Sequence, residues 1–297
     1  GARMRRSLSP WLLALALPFA TPAPAQAAFP MGTHRMVLLG PGGELPFHLA
    51  LHGDGKGGLE AHVLNGEERL AVPEVSDGEK LVLRFPHYDS ELVLDRELAG
   101  EWVKRRGDGP TTRMAVRRSP PGPRFALPGD GAAAPDWCVG RFRVAFAKSA
   151  DPAVGVFRRA DGPWHDVEGT FLTTLGDYRF LAGNADGARL LLSCFDGAHA
   201  FLFRAERADD GTVRGAFWSS DTWHEQWTAV RDDDAALPDG WNATRWREGR
   251  ALGDARFVDL DGRPRTLDDD GLAGTVRVVE VLGTWCPNCH DHGAYLA

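Results

Sequence analysis

The sequence predicts a mainly β N-terminal region, folded as an antiparallel meander or barrel, followed by the first part of an α/β domain. Three observations predict it. Between Phe29 and Val230, short apolar alternations are punctuated by Gly, Asp and Pro, as strands joined by tight turns require, and no long helical periodicity interrupts them. Two parts of that region run in the same order of strand, hairpin, strand, glycine and aromatic. Near the end, residues 276–282 form a near-continuous apolar run of the type that makes a strand covered on both faces, and a Cys-x-x-Cys pair follows it directly.

Composition sets the outer bounds. The chain has 297 residues, 43% hydrophobic and 25% charged, ordinary for a globular protein with one large core or two smaller ones. Its formal net charge of -7 provides no basic stripe able to track phosphates, so nucleic acid is not expected as a partner. Residues 4–27 have the layout of a signal peptide: Arg5 and Arg6, a short apolar run over 11–17, then the small-x-small site Ala25-Gln26-Ala27. That run is far shorter than the roughly 20 residues a membrane-spanning helix needs. A periplasmic or secreted location is therefore expected.

Residues 28–231 read as a β-rich, barrel-like domain. Phe142-Arg143-Val144-Ala145-Phe146 alternates large apolar with polar or small residues, and 168–172, 189–193 and 200–203 follow as strands, with the Asn184-Ala185-Asp186-Gly187 turn among them. The stretches 78–83, 90–94 and 98–102 can be laid beside 187–192, 198–203 and 213–218. Two repeats, 28–106 and 137–231, joined through the Pro-, Gly- and Arg-rich stretch 107–135, would explain the match, since two copies can close a barrel and remove free edges. Any two β-meanders would also look alike. Residues 232–250, an acidic run followed by Pro238, Gly240, Trp241 and Trp246, read as a linker, and 255–263 as a hairpin with Asp-Gly at its turn.

Of the four cysteines, at 138, 194, 286 and 289, only the last two are close in sequence. A Cys-x-x-Cys across a strand-to-helix junction places Cys286 at a helix N-terminus, where free backbone N–H groups favour a thiolate, and Cys289 one turn later can resolve a mixed disulfide. With the preceding Gly283-Thr284-Trp285, this passage resembles the TlpA-like group of thioredoxin-fold thiol-disulfide oxidoreductases over about the last 45 residues, making 251–297 an incomplete thioredoxin-like domain. The resemblance implies catalytic Cys286 and Cys289, supported by Trp285, Pro287, Asn288 and His292, with no cofactor. It also implies disulfide-bearing exported proteins as partners, reduced by the Cys286/Cys289 pair, which a thiol electron donor at the membrane or in the periplasm recharges. Two departures accompany it: His292 stands where the family often has a carboxylate, and Ala297 precedes the later strands and cis-proline loop of such a fold.

Other readings of the same residues stand beside this one. Cys286-Pro287-Asn288-Cys289-His290 matches the attachment pattern of c-type haem, and Cys286, Cys289, His290 and His292 could contribute to a metal site. Cys138 and Cys194 are either buried thiols or a bridged pair. Trp218, Trp223 and Trp227, near His199, His224 and Glu225, either pack a core or line the mouth of a β-barrel binding and docking module.

Overall fold

The computed structural model describes residues 28–128, 133–240, 245, 248–269, 274–283 and 286–296. The expected signal peptide, residues 4–27, lies outside the described residues, as does Trp285. Two antiparallel sheets account for most of the chain. The first contains β1 (Gly32–Gly40), β2 (Gly43–Gly53), β3 (Leu59–Asn65), β4 (Glu68–Ala71), β5 (Glu74–Asp77), β6 (Leu81–Phe85), β7 (Ser90–Leu94), β8 (Gly100–Lys104) and β9 (Thr112–Arg118). Its order, β4-β3-β2-β1-β9-β8-β7-β6-β5, leaves it open as a curled half-barrel.

The second sheet contains β10 (Gly140–Phe146), β11 (Ala153–Arg159), β12 (Val167–Thr173), β13 (Gly176–Asp177), β14 (Leu181–Ala185), β15 (Arg189–Phe195), β16 (Ala200–Arg207), β17 (Val213–Ser219) and β18 (Trp223–Arg231). Here β11 pairs with β12 as well as β10, so the sheet closes on itself into a barrel, with β13 as a two-residue annex. Closure pairs the backbone groups that an open edge would leave free. The expected mainly β architecture and barrel are thus present.

Small barrels are filled by their own side chains, and this one is filled by aromatics. Phe146, Phe157, Phe171, Tyr178, Phe203, Phe217 and Trp227 pack inside it, with the Phe171 ring in contact with those of Phe146, Phe157, Tyr178, Phe203 and Trp227. Gly215 makes room for this filling, because a Cβ there would meet the Trp227 indole at 2.5 Å.

Strands β15 and β16 are buried on both faces, which explains their nearly unbroken apolar sequence. Leu190, Leu192, Cys194, Phe201 and Phe203 point into the barrel, while Phe195, Ala200 and Leu202 belong to the core of the half-barrel. Phe195 enters between Phe47, Phe85 and Trp102 at centroid distances of 4.6, 6.2 and 5.4 Å. Beside it lies a polar joint centred on Arg124, a fully buried side chain. Its guanidinium donates to Asn65 Oδ1 (2.9 Å) and Leu64 O (3.3 Å) of the half-barrel and to Ser193 Oγ (2.8 Å) and Ser193 O (3.2 Å) of the barrel. Ser193 Oγ then donates to Pro46 O, and Asn65 exchanges hydrogen bonds with the backbone of Phe195.

The C-terminal segment corrects the expectation of a thioredoxin-like domain. It forms a short hairpin, β19 (Arg256–Val258) with β20 (Pro264–Thr266), and helix α1 (Pro287–Leu296), the α-helix found among the described residues. Residues 276–282, expected as a central strand, pair with no sheet, and Val276, Val278 and Val281 are almost fully exposed. A parallel central strand depends on neighbouring strands and on helices over both faces. Among the described residues neither surrounds this run, so its apolar content does not make it a strand.

Two substitutions test this architecture. Arg124→Leu strands several buried acceptors and should lower stability by about 3 kcal/mol, read from urea unfolding. Phe171→Ala should cost roughly 3–5 kcal/mol in the same assay through the cavity left in the aromatic core.

Candidate functional site

Where the half-barrel, the barrel and α1 meet, a cleft of about 710 Å³ opens. The turn after β6 contributes His87, Tyr88 and Asp89, and the end of β8 contributes Lys104, Arg105 and Arg106. Leu175 and Asp177 come from the β12–β13 hairpin, His199 from the β15–β16 turn, and Cys286, Pro287 and Asn288 from the start of α1. Its size lies in the range of small-molecule sites.

Local backbone chemistry fixes these positions. Asp196 accepts the N–H groups of Ala198 (2.9 Å) and His199 (2.6 Å), tightening the β15–β16 turn, and its Oδ2 lies 3.1 Å from His199 Nδ1. Burial alone would raise the Asp196 carboxyl, but His199 and Arg179 hold it below its ordinary value. Lys104 Nζ donates to Ala198 O at 2.5 Å, and Ser90 Oγ donates to Gly197 O, so this turn is fastened to the half-barrel. Burial, reinforced by Arg106, lowers the Lys104 pKa. Burial also pushes the Tyr88 hydroxyl up to about 12, leaving it a proton donor. Arg105 is held by Glu91 (2.7 Å) and Asp89 (3.4 Å), whereas Arg106 contacts Thr222 Oγ1 at 3.3 Å.

Arg179 anchors α1 to the wall of this cleft. It adopts a left-handed backbone conformation (φ 62°), and its buried guanidinium lies 3.2 Å from Asp196 Oδ2. It donates to Asn288 Oδ1 (3.0 Å) and Asp291 Oδ2 (2.9 Å), and Glu68 lies at 3.5 Å. The His87 and His290 rings, 3.8 Å apart, add a second contact between half-barrel and helix.

The candidate residues read from the sequence divide accordingly. Cys286, Pro287 and Asn288 line the cleft; Cys289 donates its backbone N–H to Cys286 Sγ at 3.4 Å. His292 turns instead toward Glu280, 2.7 Å away. Both thiols are free, and the Cys286 pKa is raised, first by the hydrogen bond with the Cys289 side chain and then by burial, opposite to the expected thiolate stabilisation. Cys138 and Cys194 are buried free thiols within the barrel core. Of the three tryptophans singled out, Trp227 is core, Trp218 stacks on His224 at 4.8 Å, and Trp223 donates to Glu225. The sequence reading passed over Lys104-Arg105-Arg106, although three consecutive cations ahead of Gly107 were a visible signal of a basic strand end. For Arg179 there was none.

No protein-family profile matches the sequence, and no curated protein does either. Among solved structures, one is similar to 67% of this chain and 94% of its own: a protein of unknown function from the DUF3598 family of Nostoc punctiforme PCC 73102, with 10% identity and a TM-score of 0.21. Fold and cleft together define a β-barrel protein with a binding-type site. They correct the expected TlpA-like thiol-disulfide oxidoreductase, because the described residues are nearly all β and include no α/β scaffold of the kind that enzyme chemistry depends on.

Glu68 gives the site a pH signature. Burial pushes its carboxyl up to about 7 from 4.5, outweighing Arg179 and Asn65, and the nearby negative charges of Asp196 and Asp291 add to the rise. A carboxyl raised on folding contributes stability below its unfolded pKa and loses it as pH rises through the folded value. Glu68→Gln should therefore flatten the decline in stability between about pH 4.5 and about pH 7, measured by urea unfolding across that window.

Proposed function

We propose that this protein is a β-barrel binding module that takes an anion-bearing small molecule in the cleft between half-barrel, barrel and α1. The supporting observation is that Lys104, Arg105 and Arg106 line one 710 Å³ space together with His199. Two of these cations are already committed, Lys104 to a carbonyl and Arg105 to carboxylates. Arg106 is the least engaged, and its guanidinium can bind a carboxylate or phosphate through two parallel hydrogen bonds. Tyr88 adds a neutral donor, and Leu175, 91% exposed at the rim, offers apolar contact.

The barrel interior is not the binding chamber on this reading. Its aromatic side chains occupy the space that larger barrels leave for a ligand. The rigid barrel instead carries the turns that shape the cleft, as is common for sites built on surface connections.

Calorimetric titration with citrate tests the proposal. Binding should weaken by about 10- to 100-fold in Arg106→Glu, the equivalent of losing one charge-assisted hydrogen bond. Citrate affinity indifferent to that charge reversal would remove the cleft from consideration.

A further inference from the structure

A second cavity, of about 410 Å³, lies on the outer face of the half-barrel and is lined by Thr33, His34, Arg35, His48, residues 118–122 and Trp164. No carboxylate is among these residues. Arg35 and His48 are cross-strand neighbours on β1 and β2, so the pleat sends both side chains to the same face. Arg35 is fixed by donating to Pro123 O (3.0 Å), Ser119 Oγ (2.6 Å) and Arg124 O (2.9 Å). All three acceptors are neutral, and Arg35 forms no ion pair among the described residues. Burial lowers its pKa, with Glu44 opposing and Arg117 reinforcing that effect.

His48 supplies an independent observation. The side chain is 2% exposed, and its Nε2 has no hydrogen-bond partner. Burial, with Arg124 and Arg35 nearby, lowers its pKa to about 3, so it is a neutral imidazole. An unpaired buried polar atom costs free energy that an incoming partner can recover. Flat and apolar groups lie around this polar centre: Trp164 stacks on His48 at 4.2 Å, and Pro120 and Pro121 also line the cavity. Arg118, exposed at the end of β9 and part of the lining, forms no ion pair among the described residues.

We infer that this cavity is a second ligand site, distinct from the cleft, that takes an aromatic carboxylate: the carboxylate between Arg35, Arg118 and His48, the ring against Trp164 and the prolines. Arg35 needs no rearrangement for this, since its guanidinium retains N–H groups beyond the three already used. Because Trp164 belongs to the barrel and the other lining residues to the half-barrel and its continuation, the ligand bridges the two sheets.

The test is a titration of the full chain, labelled with nitrogen-15, with sodium benzoate and separately with benzamide. The Trp164 indole signal is assigned from Trp164→Phe. The expected result is a saturable Trp164 shift with benzoate in the millimolar range and none with benzamide over the same range. Arg118→Glu, at an exposed position, should weaken benzoate binding at least tenfold, and His48→Phe, which keeps a ring beside Trp164, should weaken it too. Arg106→Glu should leave the Trp164 response intact, separating this site from the cleft. An unmoved Trp164 signal, equal binding of benzamide, or affinity unchanged by Arg118→Glu or by His48→Phe would overturn the inference.

Discussion

The joint at Arg124 is the interaction on which the remaining architecture depends. A guanidinium with no exposure to water must satisfy its donors internally, and every acceptor used here belongs to one sheet or the other. Burial lowers its pKa to about 10, yet it remains charged at neutral pH. Ser193 and Asn65 cannot be satisfied in the same way unless β3, β2 and β15 are in register across the interface. Apolar packing of Phe195 supplies adhesion between half-barrel and barrel, while the directional bonds around Arg124 select one relative placement.

That placement creates both cavities. The cleft exists because the β15–β16 turn, fastened to the half-barrel through Lys104 and Ser90, brings His199 beside a basic strand end. The outer cavity exists because the backbone N–H of Arg124 is bonded to Trp164 O at 2.5 Å, drawing the Trp164 ring over His48. Each site is thus an interface product. Neither sheet contains the full set of lining residues by itself.

Charge at the α1 contact follows a different logic. One guanidinium, Arg179, faces three carboxylates, and they do not share it equally. Asp196 is buried and hydrogen-bonded by backbone N–H groups, so it is held ionised; Asp291 is exposed and keeps its hydration; Glu68, half-buried and farthest away, takes the desolvation cost. The surplus acid makes this seam responsive to protons near neutrality, whereas the Arg124 joint contains no carboxylate.

Alternation of apolar and polar residues, together with Gly and Asp at turns, determined the strands of the β-rich region, because side-chain period and turn chemistry are local properties. The Asp259–Gly262 turn signal likewise produced the β19–β20 hairpin, and the Cys286-Pro287 junction did begin a helix. What tertiary structure decided was everything that required distant neighbours. Residues 276–282 have the composition of a buried strand and form none, since strand identity depends on hydrogen-bonding partners that composition does not supply. Cys286 stands at a helix start and still has a raised pKa, because its neighbouring thiol and partial burial outweigh the helix terminus. Arg124 and Arg179 look in sequence like any other arginines. Their roles come from burial and from acceptors 59 to 112 residues away, distances that only folding closes.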